Sequence, residues 1–262
     1  MSLPLPTRRR PDMADPSHSA VAPTGDYTEQ MGTPIEVSST ARDGRETLPL
    51  SGEPAQLGHP IPPEVLESCA GALAGMGGPA ICSIAVTSCH RGEGRSTVAL
   101  ALALLERTTY NLRTLLVELD LEGPRLAAAL GLPAGPGLAE VVRDEETVER
   151  ALRWTHDDLA VLSAGDARGA PEALLAQVAT GGLLDGLGEL FDTLVLDLPP
   201  LEGSGSSALV ARRCSTPLLV VRAGAVERRD LEKAVAMFDA PPPILMNGVS
   251  PPRAHRARRQ RR

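Results

Sequence analysis

Six stretches of strand length, each almost continuously apolar, recur between residues 81 and 249 and alternate with helical patterns. Strands that are apolar on both faces are buried on both faces, as in parallel sheets covered by helices. The alternation therefore predicts an α/β fold with a doubly wound, mostly parallel sheet flanked by helices. The predicted strands are residues 81–88, 113–121, 159–165, 192–200, 216–224 and 243–249. The predicted helices between them begin near Ser96, Arg125, Thr147, Pro171, Ser204 and Arg228.

The two ends of the chain differ from this folded part. Residues 1–62 are rich in Pro, Ser, Thr, Gly and charge, and they show neither helical nor strand periodicity. Such a segment buries too little apolar area to offset the entropy lost on ordering, so we expect a disordered N-terminal arm. The sequence PPEVLESCAGALAGM predicts a short helix next. The predicted organisation is therefore an arm (1–62), one α/β domain (63–250) and a basic disordered tail (251–262).

The charge of the chain is unevenly distributed. The formal net charge is -7, yet the last ten residues carry six arginines, which gives an acidic body with a basic tail. The tail is either simply solvated or attracted to anionic lipid, a polyanionic polysaccharide or an acidic partner. The acidic body and the lack of an aromatic platform argue against nucleic acid.

The cysteine pattern and the hydropathy suggest the compartment. The four cysteines show no CxxC or zinc-type spacing, no signal peptide precedes them, and no window of about 18 uninterrupted apolar residues occurs. We expect reduced thiols and a cytoplasmic location, peripheral to the inner face of the membrane if the basic tail binds it.

The first predicted strand runs into a glycine-rich turn, CHRGEGRST, followed at once by a helix. The glycines let the backbone approach a phosphate, with successive N–H groups and the helix N-terminus facing the anion. A hydroxyl at Ser96 would hold Mg²⁺, and Thr97 would bond an α-phosphate. The predicted ATP-binding residues of this turn are Arg91, Gly92, Glu93, Gly94, Arg95, Ser96 and Thr97. The alternative is a plain glycine turn at a helix start.

One residue of the turn departs from the usual phosphate-binding pattern. Arg95 stands where a lysine is expected, and a wide planar guanidinium is not equivalent to a compact ammonium inside a tight loop. The sequence leaves open whether its side chain points inward to the phosphates or outward to solvent.

Three acidic residues end two of the other predicted strands. Glu118 and Asp120 lie two residues apart, which on a strand places them on the same side, and Asp197 follows three apolar residues. Carboxylates beside a phosphate loop can bind Mg²⁺ or accept a proton from an attacking hydroxyl. With Arg95, they are the predicted catalytic residues, and with Ser96 they are the predicted metal ligands. For Glu118 and Asp120, a solvated strand end is the alternative.

Several segments together resemble a known family. In order and spacing they are similar to the bacterial tyrosine kinases of capsule and exopolysaccharide synthesis, the CpsD/CapB type, within the MinD/ParA-like P-loop NTPase class. The segments are VTSCHRGEGRST, LLVELDLEGPRLAAALGL, GPGLAEVV, LSAGDARGAPEALL, FDTLVLDLPPL, LLVVRAG and LMNGV. The resemblance covers residues 64–249.

The resemblance implies a role for each site residue. Residues 88–97 would be the Walker A loop, Glu118 and Asp120 the Walker A′ carboxylates, and Asp197 the Walker B aspartate. Asn247 would meet the adenine base. The family also implies a membrane partner, a polysaccharide co-polymerase or chain-length-determinant protein, that activates the ATP-binding domain.

The chain departs from the family pattern around the phosphates. Glu122 replaces an arginine, and Ser207 replaces an aspartate in the helix after Walker B. In the first helix, Glu64, Glu67 and Ala70 stand at the spacing of a glutamate and two arginines used in subunit contacts, so oligomerisation stays open.

The tail departs too. These kinases end in a tyrosine cluster that neighbouring subunits phosphorylate, whereas this chain has only Tyr27 and Tyr110. Tyr110 is expected to be structural, which leaves Tyr27 as the flexible acceptor.

These observations leave three functional hypotheses. The first is an ATP-dependent regulator of exopolysaccharide synthesis with weakened or lost phosphoryl transfer. The second is a ParA/MinD-like positioning ATPase, although HRGEGRS lacks the extra lysine of that class. The third is an interaction module whose nucleotide site is empty.

Overall fold

Seven strands form one sheet in the part of the chain that the structure describes, with the order β3-β4-β2-β5-β1-β6-β7. The structure is a computed structural model that describes residues 61–78 and 82–248. Apart from Ile61 and Pro62, the predicted arm and tail lie outside these residues, as does Tyr27. The strands are β1 (Ser83–Ser88), β2 (Thr114–Glu118), β3 (Leu152–Trp154), β4 (Ala160–Leu162), β5 (Thr193–Asp197), β6 (Thr216–Arg222) and β7 (Ile244–Asn247).

Helices separate most of these strands along the chain. They are α1 (Pro63–Gly75), α2 (Arg95–Leu104), α3 (Leu126–Ala129), α4 (Leu138–Val142), α5 (Val148–Ala151), α6 (Pro171–Thr180), α7 (Leu183–Leu190), α8 (Gly205–Arg213) and α9 (Arg228–Val235). Local sequence explains several starts. Proline begins α1 and α6 at a position where no N–H is needed, and Ser204 caps α8 by accepting from the Ser207 N–H at 3.2 Å.

Two aliphatic layers cover the two faces of the sheet. In β1, Ile84 and Val86 pack with α1, α2 and α3, whereas Ala85 between them packs with the layer formed by α4 to α9. Because successive strand residues point to opposite faces, burial on both sides requires the continuous apolar strands seen in the sequence. All strand pairs are parallel except β3 with β4. The predicted α/β fold class is confirmed.

Some local predictions were wrong. The helix predicted from Thr147 is a single turn, α5, and the chain then forms β3, which the sequence analysis missed. Pairing with β4 determines this three-residue edge strand, and no periodicity signals it. The predicted helix after Arg125 is also a single turn, and α4 and α7 were not predicted. In α7, Gly186 and Gly188 interrupt the apolar pattern that would have indicated a helix.

No helix in residues 61–78 and 82–248 combines the length and apolar character needed to cross a lipid bilayer.

Close packing of α4 against the end of β4 depends on Gly137. A Cβ there would lie 2.3 Å from the Ser163 carbonyl oxygen and 2.6 Å from the Gly165 nitrogen, so Gly137→Ala requires the backbone to shift. We expect it to lower the free energy of unfolding by about 1–3 kcal/mol, measured by urea denaturation. Gly71→Ala in α1 is the control, because a Cβ there meets nothing within 4 Å. A helical alanine should raise stability by about 0.5–1 kcal/mol. Equal effects at the two positions would contradict this account of α4 packing.

Candidate functional site

The strand order brings three distant segments together at one edge of the sheet. Strand β5 lies between β1 and β2, with Asp197 in register with Val86 on one side and Glu118 on the other. The turn after β1 and the carboxyl ends of β2 and β5 are therefore neighbours. Ligands of doubly wound sheets bind at this edge, where the strand order reverses.

The turn after β1 has the backbone of a phosphate-binding loop. Gly92 and Gly94 adopt φ angles of 84° and 88°, which L side chains rarely reach. A Cβ at Gly94 would also lie 2.0 Å from Asn247 Nδ2. The N–H groups of Gly92, Glu93 and Gly94 donate to no other group within residues 61–78 and 82–248. These donors precede the N-terminus of α2 and are available to an anion.

Hydrogen bonds of Glu93 anchor the loop to the ends of β6 and β7. The Glu93 carboxylate accepts from the His90 and Arg222 backbone N–H groups, and Asn247 Nδ2 donates to the Glu93 carbonyl at 2.9 Å. Asn247 therefore binds the loop backbone in this structure, and its predicted contact with adenine stays a prediction. His90 Nδ1 lies 2.6 Å from Glu202 Oε2, and this hydrogen bond raises the pKa of His90.

Arg95 points inward and binds two of the predicted acidic residues. Its Nε donates to Asp197 Oδ1 at 3.0 Å and its Nη2 donates to Asp120 Oδ2 at 2.8 Å. The side chains of Arg95, Asp120 and Asp197 are 9%, 6% and 2% exposed. The Arg95 side chain, whose direction the sequence left open, therefore points inward to the carboxylates and not outward to solvent.

A second arginine shares Asp120. Arg91 Nη1 donates to Asp120 Oδ2 at 2.9 Å, and Arg91 Nη2 donates to Glu122 Oε2 at 2.9 Å. The other oxygen, Asp120 Oδ1, accepts from the Gly123 N–H at 3.2 Å. Glu122, which departs from the family pattern, thus neutralises an arginine beside the loop. Sequence reasoning placed Arg91 with the nucleotide and did not foresee this pair.

Burial and a neighbouring positive charge have opposite effects on the pKa of Asp197. Burial raises its pKa to about 6, although Arg95 and a hydrogen bond from the Ser96 side chain oppose the increase. Above that pH, Asp197 and Arg95 form a buried ion pair.

Glu118 does not share this cluster. Its Oε1 accepts from the Arg125 and Leu126 N–H groups at the start of α3, and its Oε2 accepts from the Ala164 N–H at 3.3 Å. The expectation that it acts on one side with Asp120 needs correction, because β2 ends at Glu118 and Asp120 belongs to the following turn. The carboxylate satisfies buried backbone donors, as an N-terminal cap does.

The predicted magnesium ligands do not fit a metal ion in this arrangement. Mg²⁺ requires oxygen ligands at about 2.1 Å in octahedral geometry. Both Asp120 oxygens already accept hydrogen bonds, Asp197 is paired with Arg95, and Glu118 is bonded to backbone N–H groups. Within the described residues no group of three His, Cys, Asp or Glu side chains is arranged to hold a metal ion.

A cavity of about 630 Å³ opens beside the loop. Arg95 and Asp120 form part of its wall, together with the exposed Thr97 and with Arg125 and Leu126. The cavity has the size of a small-molecule site. Its remaining lining residues are Ile61, Pro62, Arg91, Gly92, Gly94, Ser96, Leu100, Gly123 and Ala129.

Curated proteins similar to this chain include bacterial tyrosine kinases. Tyrosine-protein kinase CpsD of Streptococcus pneumoniae serotype 4 is 29% identical over 157 residues, which cover 58% of this chain and 67% of that protein. The chain resembles the bacterial tyrosine kinases. This likeness confirms the predicted resemblance, although no protein-family model matches the chain. The chain spans from a fifth to about two thirds of the length of the first three curated relatives that it matches.

Solved kinase domains share the fold. The BceF tyrosine kinase domain is 25% identical with a TM-score of 0.58, and the match covers 71% of this chain and 75% of that one. The VpsO kinase domain is 22% identical with a TM-score of 0.63, and the match covers 71% of this chain and 97% of that one. The described residues therefore have the fold of a bacterial tyrosine kinase domain.

The contacts of Glu118 predict a structural role for its carboxylate. Glu118→Gln places an amide donor against at least one backbone N–H, so we expect the free energy of unfolding to fall by about 1–3 kcal/mol. Urea denaturation measures the change. The control, Glu67→Gln on the exposed surface of α1, should stay within about 0.5 kcal/mol of the wild type. Unchanged stability in Glu118→Gln would show that these N–H groups do not need the carboxylate.

Proposed function

We propose that this protein is a nucleotide-binding regulator of exopolysaccharide or capsule synthesis whose phosphoryl transfer is weakened or lost. Two features of the glycine loop support it. The loop has N–H donors available to a phosphate, and Arg95, which stands at the position of the usual lysine, is held by Asp120 and Asp197.

The binding half of the proposal rests on the loop and the adjoining cavity. Gly92 and Gly94 hold the left-handed conformations that expose successive N–H groups, and the N-terminus of the ten-residue helix α2 adds a favourable dipole for phosphate. ATP or ADP would place its phosphates on this loop and the rest of the molecule in the 630 Å³ cavity.

The reduced chemistry follows from the position of Arg95. Phosphoryl transfer needs a cation that stabilises charge developing on the transferred group. The Arg95 guanidinium is 9% exposed and makes two short ion pairs, so it is not free to follow that charge. Asp120 and Asp197, the candidate bases, are occupied by the same contacts. Tyr110 packs against the core as a partly buried residue, consistent with its expected structural role.

The biological setting is inferred from the resemblance to the capsule and exopolysaccharide kinases. We propose a cytoplasmic protein that docks on a membrane polysaccharide co-polymerase, with nucleotide occupancy controlling the docking. The six arginines of the tail would add attraction to anionic lipid or to a polyanion.

Calorimetry of ATP and ADP with the full chain tests the binding step. We expect wild type to bind with a dissociation constant in about the micromolar range. Gly94→Ala should weaken binding at least about tenfold, because the added Cβ collides with Asn247 and the φ of 88° is strained.

Gly169→Ala is the matched control. Its φ of 74° carries a similar strain, but a Cβ there meets nothing within 4 Å and the residue does not line the cavity. Its affinity should equal that of the wild type. Absence of ATP and ADP binding by the wild type would overturn the proposal and favour an interaction module on the same fold.

A further inference from the structure

One guanidinium joins the ends of two strands at the candidate site. Arg95 spans from Asp197, which ends β5, to Asp120, which follows β2, through N–O distances of 3.0 and 2.8 Å. These carboxylates are the Walker A′ and Walker B positions by resemblance, and both are almost fully buried. The position between two buried carboxylates beside a phosphate loop is also where a divalent cation would be held.

Both carboxylates at this position already have positively charged partners. The carboxylates of Asp120 and Asp197 face the guanidinium groups of Arg95 and Arg91, and Arg91 also pairs with Glu122. An added divalent ion would bring two more positive charges within a few ångströms of the guanidinium, in a region of low effective dielectric. The ion would also have to displace both arginines from Asp120.

We infer that Arg95 replaces the divalent cation of this site, so that the site binds no Mg²⁺ and holds a phosphate ligand independently of metal. The part that concerns a phosphate ligand rests on the proposed function. The part that concerns metal does not, because it follows from the side-chain contacts of the protein alone.

The shape of arginine is what makes the replacement effective. Its planar fork presents Nε to one carboxylate and Nη2 to the other, while Nη1 lies 3.5 Å from Ser88 Oγ. A lysine ammonium is a single point on a flexible stem and cannot hold both carboxylates with the same geometry. Arg95→Lys therefore keeps the charge of the residue but frees carboxylate oxygens for a metal ion.

Manganese binding, followed by the electron paramagnetic resonance of free Mn²⁺, tests the metal part without nucleotide. Mn²⁺ takes the same oxygen ligands as Mg²⁺. We expect wild type to show no site that depends on Asp197. Arg95→Lys should gain one, with affinity at least about tenfold higher, and Arg95→Lys/Asp197→Asn should lose it again.

Arg113→Lys is the matched control, because Arg113 pairs with Asp192 outside the site and its side chain is 60% exposed. It should leave Mn²⁺ binding unchanged. An Asp197-dependent Mn²⁺ site of equal affinity in wild type and Arg95→Lys would overturn the inference. So would the absence of a site in both, because Arg95 would then not be what excludes the metal.

A second measurement serves if Arg95→Lys fails to fold, as its thermal transition would reveal. Calorimetry of ATP with wild type should give the same dissociation constant, within about twofold, in excess EDTA and in excess MgCl₂. A tenfold or larger gain with MgCl₂ would overturn the inference. If wild type binds no ATP under either condition, the proposed function fails. The same protein's Mn²⁺ titration then decides the metal question, and an Asp197-dependent site in it would overturn the inference.

Discussion

The buried ion pairs of Arg95 connect the parts of this molecule that give the site its form. Through Asp197 and Asp120, one side chain at the start of α2 links the glycine loop, the end of β5 and the turn after β2. Removing one partner of a buried pair leaves an uncompensated charge, at a cost of about 3–5 kcal/mol. The contact by which we propose that phosphoryl transfer is weakened is thus also one that holds the site together.

The sequence could predict the architecture because burial on both faces of a sheet leaves a signature that needs no partner information. Continuous apolar strands, a glycine turn and intervening helices indicated a doubly wound sheet. The glycine loop lies between β1 and α2, as predicted. Strand β3 was missed because only its pairing with β4 makes Leu152–Trp154 extended. The short helix α4 depends similarly on tertiary packing, in which Gly137 approaches the Ser163 carbonyl.

The sequence predicted that Asp120 and Asp197 lie close to the glycine loop, but it did not predict their contacts. Residue type indicated that Glu118, Asp120 and Asp197 lie at strand ends; Glu118 and Asp197 end β2 and β5, whereas Asp120 lies in the turn after β2. Which donor each carboxylate accepts depends on a turn of one or two residues, and so Glu118 came to bind α3 and the Ala164 N–H. The orientation of Arg95 was equally hidden, since a guanidinium can reach solvent or carboxylates from the same backbone position. For the pair of Arg91 with Glu122, the available sequence signal was Glu122 itself, an acid where the family pattern has an arginine.

The position of β5 between β1 and β2 has a consequence for how the protein acquires its site during synthesis. Strand β5, which carries Asp197, is synthesised after β1 and β2, the strands on either side of it. Asp197 itself lies 102 residues after its partner Arg95 in the chain. A nascent chain that ends before β5 lacks the strand that pairs with both β1 and β2, and it lacks the Asp197 partner of Arg95. Parallel pairings of such separation form slowly. The second ion pair of Arg95, with Asp197, therefore forms only when the central strand inserts, which makes that pair a marker of β5 in place between β1 and β2.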